Sequence, residues 1–194
     1  MCTKELESVP HVLAGCSALA QTKYMSRHNS ALKILFFEIP RECGLIDKIP
    51  PWCSQVVPKP LYENENHKAF WDVTVYAENA EICANRIDAR IINHEEKKIT
   101  LLEMSCPCVE NRCQKEAEKT RKYGPLQCEL RQQFKGYKVE QFNIIMDVLG
   151  GYSAHLEQNV KRFVGKKSNQ VLRNMQKSVI SSTDRKSTRL NSSH

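Results

Sequence analysis

The sequence predicts a mixed α/β (α+β) fold, in which helices flank a sheet of both parallel and antiparallel strands. Residues 86–105, RIDARIINHEEKKITLLEMS, carry two apolar runs around the polar turn HEEKK, a pattern typical of a β-hairpin. A charged segment with helical spacing follows the hairpin and leads to a further apolar run. A hairpin joined through a helix to another strand gives a mixed sheet with helices packed on it.

The other elements are predicted from periodicity and from prolines. Apolar spacing predicts a helix over residues 19–38, whereas five prolines within residues 40–68 indicate a long loop or linker. Alternation in FWDVTVYA predicts a strand at 70–77. The remaining predictions are strands at 87–93 and 98–105, a helix at 109–134 divided by Gly124-Pro125, a strand of central type at 137–150, and helices at 153–164 and 168–181.

Composition favours a globular protein with a basic net charge and no membrane-spanning segment. The chain has 194 residues, 41% of them hydrophobic, which is enough for a core, and its net charge of +7 suits a polyanionic partner. No apolar run reaches membrane-spanning length and no secretory signal is recognisable, so we expect a nuclear or cytoplasmic protein without a membrane partner. The nine cysteines are then expected to be reduced thiols, some of which could bind metal.

The last eleven residues, DRKSTRLNSSH, are treated separately. They resemble the translation of a common sequencing-library adapter over their whole length. We therefore expect residues 184–194 to be an artefact of transcript assembly. Without their three basic residues and one acidic residue, the net charge falls from +7 to +5.

Each strand of the hairpin carries one carboxylate. Strand alternation places Asp88 on one face with Arg90 and Ile92, and Glu103 on one face with Leu101. At the open end of the hairpin the two acids would lie nearly opposite and repel each other unless a cation joined them. Mg²⁺ binds one or two carboxylates and keeps several waters, although two solvated edge carboxylates would give the same pattern.

The hairpin resembles that of the PD-(D/E)xK nucleases, which place an Asp on one strand and an Asp or Glu on the next. It is most similar to the restriction-enzyme-like endonuclease of site-specific non-LTR retrotransposons, whose motif is a basic residue, Pro, Asp, a spacer, and Asp or Glu. Here Arg86-Ile87-Asp88 precedes fourteen residues and Glu103. The resemblance implies Mg²⁺ or Mn²⁺ bound by Asp88 and Glu103, on a restriction-endonuclease-like core of helix, three strands, helix and strand, with C-terminal helices.

The lysine that usually follows the second acid is replaced by Ser105. In the retrotransposon enzymes a basic residue comes instead from the next helix, in a Lys/Arg-x-x-x-Tyr pattern that Lys119 and Tyr123 match within KTRKY. The resemblance therefore implies that both belong to the catalytic site. A lysine there neutralises the attacked phosphate or orients the water. Taken alone, Lys119 would be assigned to a solvated helix face.

The N-terminal residues Cys2, His11 and Cys16 resemble part of a Cys-Cys-His-Cys zinc knuckle, which in this family lies between the reverse transcriptase and the endonuclease. Three ligands are one short of a closed Zn²⁺ site, and the missing cysteine would precede Met1. The resemblance thus implies a truncated Zn²⁺ site. The alternative is a loose segment with ordinary thiols.

Several basic residues are candidates for nucleic-acid contact. Residues 158–183 contain six basic and no acidic residues, a pattern that fits either a solvated face or phosphate contact. Arg27-His28-Asn29 resembles an Arg-His-polar signature of the same family. The candidates are Arg27, His28, Arg86, Lys161, Arg162, Lys166, Lys167 and Arg173.

Together the resemblances imply a fragment of a retrotransposon polyprotein whose endonuclease nicks target DNA to prime reverse transcription. DNA would be the partner, with the element RNA as a second candidate, and the parent polyprotein would supply the reverse transcriptase. The alternative is a non-catalytic nucleic-acid-binding remnant or a decaying reading frame. The expected organisation is a truncated zinc knuckle at 1–18, a helix and Pro-rich linker at 19–68, a nuclease domain at 69–165, a basic C-terminal helix at 166–183, and the adapter-derived tail at 184–194.

Overall fold

The computed structural model describes residues 17–184, and side chains are described for residues 24–182. The zinc-knuckle candidates Cys2, His11 and Cys16, and the tail from residue 185 onward, lie outside this range. The elements are α1 (Ser17–Glu42), β1 (Leu61–Glu63), β2 (His67–Trp71), β3 (Ala89–Asn93), β4 (Lys98–Ser105), α2 (Arg112–Lys122), α3 (Gly124–Gln133), β5 (Lys138–Ile145), α4 (Ala154–Val164) and α5 (Ser168–Asp184).

The strands form one mixed five-stranded sheet in the order β1-β2-β3-β4-β5. The first four strands are antiparallel to their neighbours, while β5 pairs in parallel with β4. A parallel neighbour requires a crossover connection, and α2 and α3 supply it. The predicted mixed sheet flanked by helices is therefore confirmed.

Helices cover both faces of the sheet, because side chains of each strand alternate between two cores. On β4, Leu102 and Met104 join the apolar residues of α1, α4 and α5 on one face. Ile99 and Leu101 join those of α3 on the other face. Strand β4 is buried along nearly its whole length, which explains its almost continuous apolar sequence.

Three strand predictions need correction. The region 40–68, expected to be a loop or linker, contains β1 and the start of β2. Strand β2 ends at Trp71 rather than at residue 77, because Asp72 adopts a positive φ of 52°. Strand β5 ends at Ile145 and lies at an edge of the sheet rather than at its centre. Its apolar residues are buried because helices cover both of its faces.

Helix α1 belongs to the same core as the strands, although the sequence suggested a separate segment at 19–68. Leu32, Leu35 and Phe36 are fully buried, and the rings of Phe36 and Trp71 lie 5.0 Å apart. The helix continues through Pro40 to Glu42, past the predicted end at residue 38. Within residues 17–184, no helix is both long and apolar enough to cross a lipid bilayer.

The crossover helix divides near Gly124-Pro125, as predicted. Helix α2 ends at Lys122 and α3 begins at Gly124, with Tyr123 between them. Pro125 lies in the first turn of α3, where its missing N–H costs no helical hydrogen bond. The two predicted C-terminal helices are also present, as α4 and α5.

Candidate functional site

Asp88 and Glu103 lie opposite each other where the β3–β4 hairpin opens. Ala89 pairs with Leu102, so Asp88 and Glu103 form the next opposed pair outward. The β3 ladder starts at Ala89, and beyond it the backbone N–H of Met104 donates to Asp88 Oδ2 at 2.7 Å. The structure thus brings the two predicted carboxylates together at one end of the sheet.

Glu103 is a buried acid, with only 2% of its surface exposed. Burial raises the pKa of Glu103, and the charge of Asp88 raises it further, while Lys119 opposes both effects. Its Oε2 atom is buried and receives no hydrogen bond from any residue in the described part of the chain. The site therefore contains a desolvated carboxylate oxygen with unused acceptor capacity.

Lys119 extends from α2 to this carboxylate, and its Nζ lies 2.5 Å from Glu103 Oε1. Burial alone would lower the pKa of Lys119, but its hydrogen bond to Glu103 and the nearby negative charges raise it overall. The lysine therefore keeps its charge. It places a positive charge against the buried Glu103 carboxylate.

Helix α2 is held on the sheet by polar contacts, and none of its residues is buried. Gln141 on β5 donates to the carbonyl oxygen of Lys119 at 3.0 Å. Asn143, two residues further along β5, donates to the carbonyl oxygen of Glu116 at 3.1 Å and to the Thr120 hydroxyl at 2.7 Å. These amides fix the position of Lys119, and no motif in the sequence marked them.

Tyr123 is buried beside the carboxylates and links the helices to the segment before β3 that contains Asp88. Its hydroxyl donates to the carbonyl oxygen of Arg86 at 3.1 Å and accepts from Lys122 at 3.0 Å. Burial raises the pKa of Tyr123, and the charges of Glu103 and Asp88 raise it further. The phenol therefore stays protonated and anchors the α2–α3 junction.

Ile87 and Ser105, the two residues at which the sequence differs from the motif it resembles, are both buried. Ile87 is 1% exposed and packs in the core beneath α3. Ser105 is also buried, and its hydroxyl lies 3.3 Å from that of Tyr24 on α1. With Ile87 and Ser105 at these positions, Asp88 and Glu103 lie opposite each other at the end of the hairpin.

Arg27 and His28 lie in the interior rather than on the surface. Arg27 is 1% exposed and its pKa is lowered by burial, while His28 is 5% exposed. His28 Nε2 lies 3.0 Å from Asp88 Oδ2 and 3.1 Å from the carbonyl oxygen of Met104. These positions do not favour direct contact with DNA phosphates. Helical spacing could have predicted that His28 is buried, because it stands four residues before the buried Leu32 and seven before the buried Leu35, on the same face of α1.

The other basic candidates are exposed but dispersed. Arg86 forms a bidentate ion pair with Asp72, in which both nitrogen–oxygen distances are 2.7 Å. Lys167 pairs with Glu42 at the C-terminal end of α1, fourteen residues beyond His28. At 1.5 Å per residue, Glu42 and its partner Lys167 lie about 21 Å along α1 from His28, which contacts Asp88. Four further candidates are exposed on α4, α5 and the turn between them: Lys161, Arg162, Lys166 and Arg173.

The donor set fits a hard divalent cation with few protein ligands. Among the described residues, no group of three or more His, Cys, Asp or Glu side chains is placed to hold a metal, and this includes Cys106, Cys108 and Cys113. The oxygen donors at this end of the sheet are the opposed carboxylates of Asp88 and Glu103, including the buried Glu103 Oε2. Mg²⁺ takes one or two carboxylates and completes its shell with water.

Comparison with known proteins adds no assignment. No protein-family model matches the chain, and no curated protein is significantly similar to it.

Proposed function

We propose that the chain carries a metal-dependent DNA endonuclease site, in which Asp88 and Glu103 bind Mg²⁺ or Mn²⁺. The observation that supports it best is the buried Glu103 carboxylate, opposed by Asp88 and contacted by Lys119 from a separate helix. Buried like charges are costly, and functional sites commonly hold them together. The arrangement agrees with the resemblance to the retrotransposon endonucleases, including the lysine supplied by the following helix.

The architecture supports the same family. Helix α1, the antiparallel strands β2, β3 and β4, the α2–α3 crossover and the parallel strand β5 follow the expected order of helix, three strands, helix and strand. We infer a restriction-endonuclease-like core, with β1 as an additional edge strand and α4 and α5 as the C-terminal helices.

The reaction would be hydrolysis of one DNA phosphodiester. The water oxygen forms a bond to phosphorus, the bond from phosphorus to the 3′ oxygen breaks, and that oxygen takes up a proton to leave the 3′ hydroxyl that primes synthesis. When bound, Mg²⁺ polarises a phosphoryl oxygen and promotes ionisation of a nearby water. Lys119 stabilises the added negative charge, and Tyr123 holds the helix that carries it.

In this proposal the chain is part of a retrotransposon polyprotein, and the parent supplies reverse transcription. The chain would cut target DNA without copying RNA. A truncated zinc knuckle, with Cys2, His11 and Cys16 as three of its four ligands, remains part of this proposal.

The second candidate is a non-catalytic nucleic-acid-binding domain. One observation favours it, because each carboxylate already has a protein partner: Lys119 for Glu103, and His28 with the Met104 N–H for Asp88. Such partners balance the charge without a metal. The basic surface would then bind DNA through its phosphates alone.

Plasmid nicking separates the two candidates. The purified chain is expected to nick supercoiled DNA only with Mg²⁺ or Mn²⁺, and Asp88→Ala and Glu103→Ala to abolish nicking while leaving DNA affinity, measured by anisotropy, nearly unchanged. If the wild type binds DNA without nicking it, the binding domain is the correct reading. Equal nicking by wild type and Asp88→Ala would identify a contaminating nuclease.

A further inference from the structure

The buried side chain of His28 contacts the carboxylate of Asp88 from a helix outside the hairpin. It lies sixty residues earlier in the chain, on α1. Nε2 is within hydrogen-bonding distance of two acceptors, Asp88 Oδ2 at 3.0 Å and the Met104 carbonyl oxygen at 3.1 Å. Because both neighbours accept, Nε2 must carry a proton and donate. The ring thus connects Asp88 to the backbone of β4.

The ring itself is fixed on its other sides. Nδ1 lies 2.8 Å from Asn29 Oδ1, and the ring of Tyr24 packs at a centroid distance of 5.8 Å. The Tyr24 hydroxyl in turn lies 3.3 Å from the Ser105 hydroxyl. With 5% of its surface exposed, the imidazole has little freedom to turn.

Both hydrogen bonds to the Asp88 carboxylate fall on the same oxygen. Oδ2 accepts from His28 and from the Met104 N–H, whereas Oδ1 receives no hydrogen bond from any residue whose side chain is described. Donors placed on one oxygen set the rotation of the carboxylate and leave the other oxygen available to a cation. Groups that hold a ligand in this way typically change metal affinity by about 10–100-fold when they are removed.

We propose that His28 is a positioning residue for the metal site: it orients Asp88 so that Oδ1 is available beside Glu103. This inference rests on the proposed nuclease site and deepens it, because it makes α1 part of the site. It assigns His28 a role other than contact with DNA.

The test measures the affinity of the full chain for Mn²⁺ in the absence of DNA. Electron paramagnetic resonance reports the fraction of Mn²⁺ that is bound. His28→Leu is expected to weaken binding by about 10–100-fold, as for loss of other ligand-orienting groups. His28→Gln, whose amide nitrogen can take the place of Nε2, should restore most of the affinity, whereas His28→Asn, which is too short, should not. His94→Leu is the matched control, because His94 is partly buried and also makes a side-chain hydrogen bond, 2.8 Å to Tyr137, but at the far end of the hairpin.

The outcomes are distinguishable. If the wild type binds no Mn²⁺, the proposed nuclease site is wrong. If the wild type binds and His28→Leu binds equally well, the site stands and the positioning role is overturned. Equal loss in the Gln and Asn variants would also overturn it, since reach to Asp88 would then be irrelevant. Thermal melts identify any variant that fails to fold. If His28→Leu does not fold, the comparison of His28→Gln with His28→Asn tests the positioning role of His28.

Discussion

The ammonium of Lys119 lies 2.5 Å from Oε1 of Glu103, so the buried carboxylate has a cationic partner supplied by the chain itself. A divalent cation at Glu103 would have to compete with this ammonium. We expect Lys119→Met to raise the Mn²⁺ affinity of the protein without DNA by about tenfold, equivalent to about 1.4 kcal/mol. Titration calorimetry of the wild type and Lys119→Met measures this change in Mn²⁺ affinity.

The same substitution should slow nicking by about two to three orders of magnitude, because it removes the charge that stabilises the transition state. Lys115→Met is the matched control, because Lys115 is on the same helix but pairs with Glu118. Unchanged or weaker Mn²⁺ affinity in Lys119→Met would show that the ammonium and the cation do not compete.

DNA contact is expected on the α2 side rather than at the α4–α5 turn. Arg121 and Lys122 are exposed next to Lys119, whereas Lys166 and Lys167 lie at the opposite end of the sheet. Replacing Arg121 and Lys122 by Ala should flatten the log–log salt dependence of DNA binding by about 1.8, or about 0.9 per lost phosphate contact. Replacing Lys166 and Lys167 should change it less. The reverse ranking, measured by anisotropy at several salt concentrations, would place the DNA on the α4–α5 side.

Cys106 should be the least reactive of the described thiols. Burial raises the pKa of Cys106 to about 12, with further contributions from Asp147 and Asp88 and an opposing one from Arg27. Near pH 8 only about one molecule in ten thousand would then carry the reactive thiolate. Mass spectrometry after iodoacetamide treatment should find label on the exposed Cys53, Cys83, Cys113 and Cys128 before Cys106. Labelling of Cys106 at the same rate in the native protein would contradict the described core.

Helix α1 should be required for folding, although it precedes the predicted nuclease domain. Phe36 is fully buried against Trp71, so Phe36→Ala should lower the free energy of unfolding by about 3–5 kcal/mol. Tyr76 is 76% exposed, so Tyr76→Ala is the control and should change the free energy of unfolding by less than about 0.5 kcal/mol. Urea unfolding measures both. If residues 69–165 alone unfold cooperatively with the stability of the full chain, α1 is dispensable.

The hairpin, the divided crossover helix and the C-terminal helices could be predicted from sequence because their signals are local. Apolar alternation set the phase of Asp88 and Glu103, and Gly124-Pro125 marked the helix division. The end of β2 at Trp71 was missed because it depends on the positive φ of Asp72, which a β-rich sequence conceals. The edge position of β5 was missed because helices α3 and α4 bury the strand on its two faces, which gives an edge strand the apolar sequence of a central one.

Within the site, the sequence identified the charged residues but not what holds them. Lys119 was found through a spacing pattern, whereas Gln141 and Asn143 belong to a strand without such a pattern. The sequence makes His28 a candidate for nucleic-acid contact rather than a partner of Asp88, because the two residues become adjacent only when α1 packs across the sheet. Long-range contacts of this kind leave no short-range signal.

The most direct test of a metal site shared by Asp88 and Glu103 is a double-mutant cycle on Mn²⁺ affinity. If the two carboxylates bind the same ion, Asp88→Ala and Glu103→Ala should each remove most of the affinity, and the double variant should lose little more than either single variant. Wild-type affinity in either single variant, or losses that simply add, would show that the two acids do not share a cation.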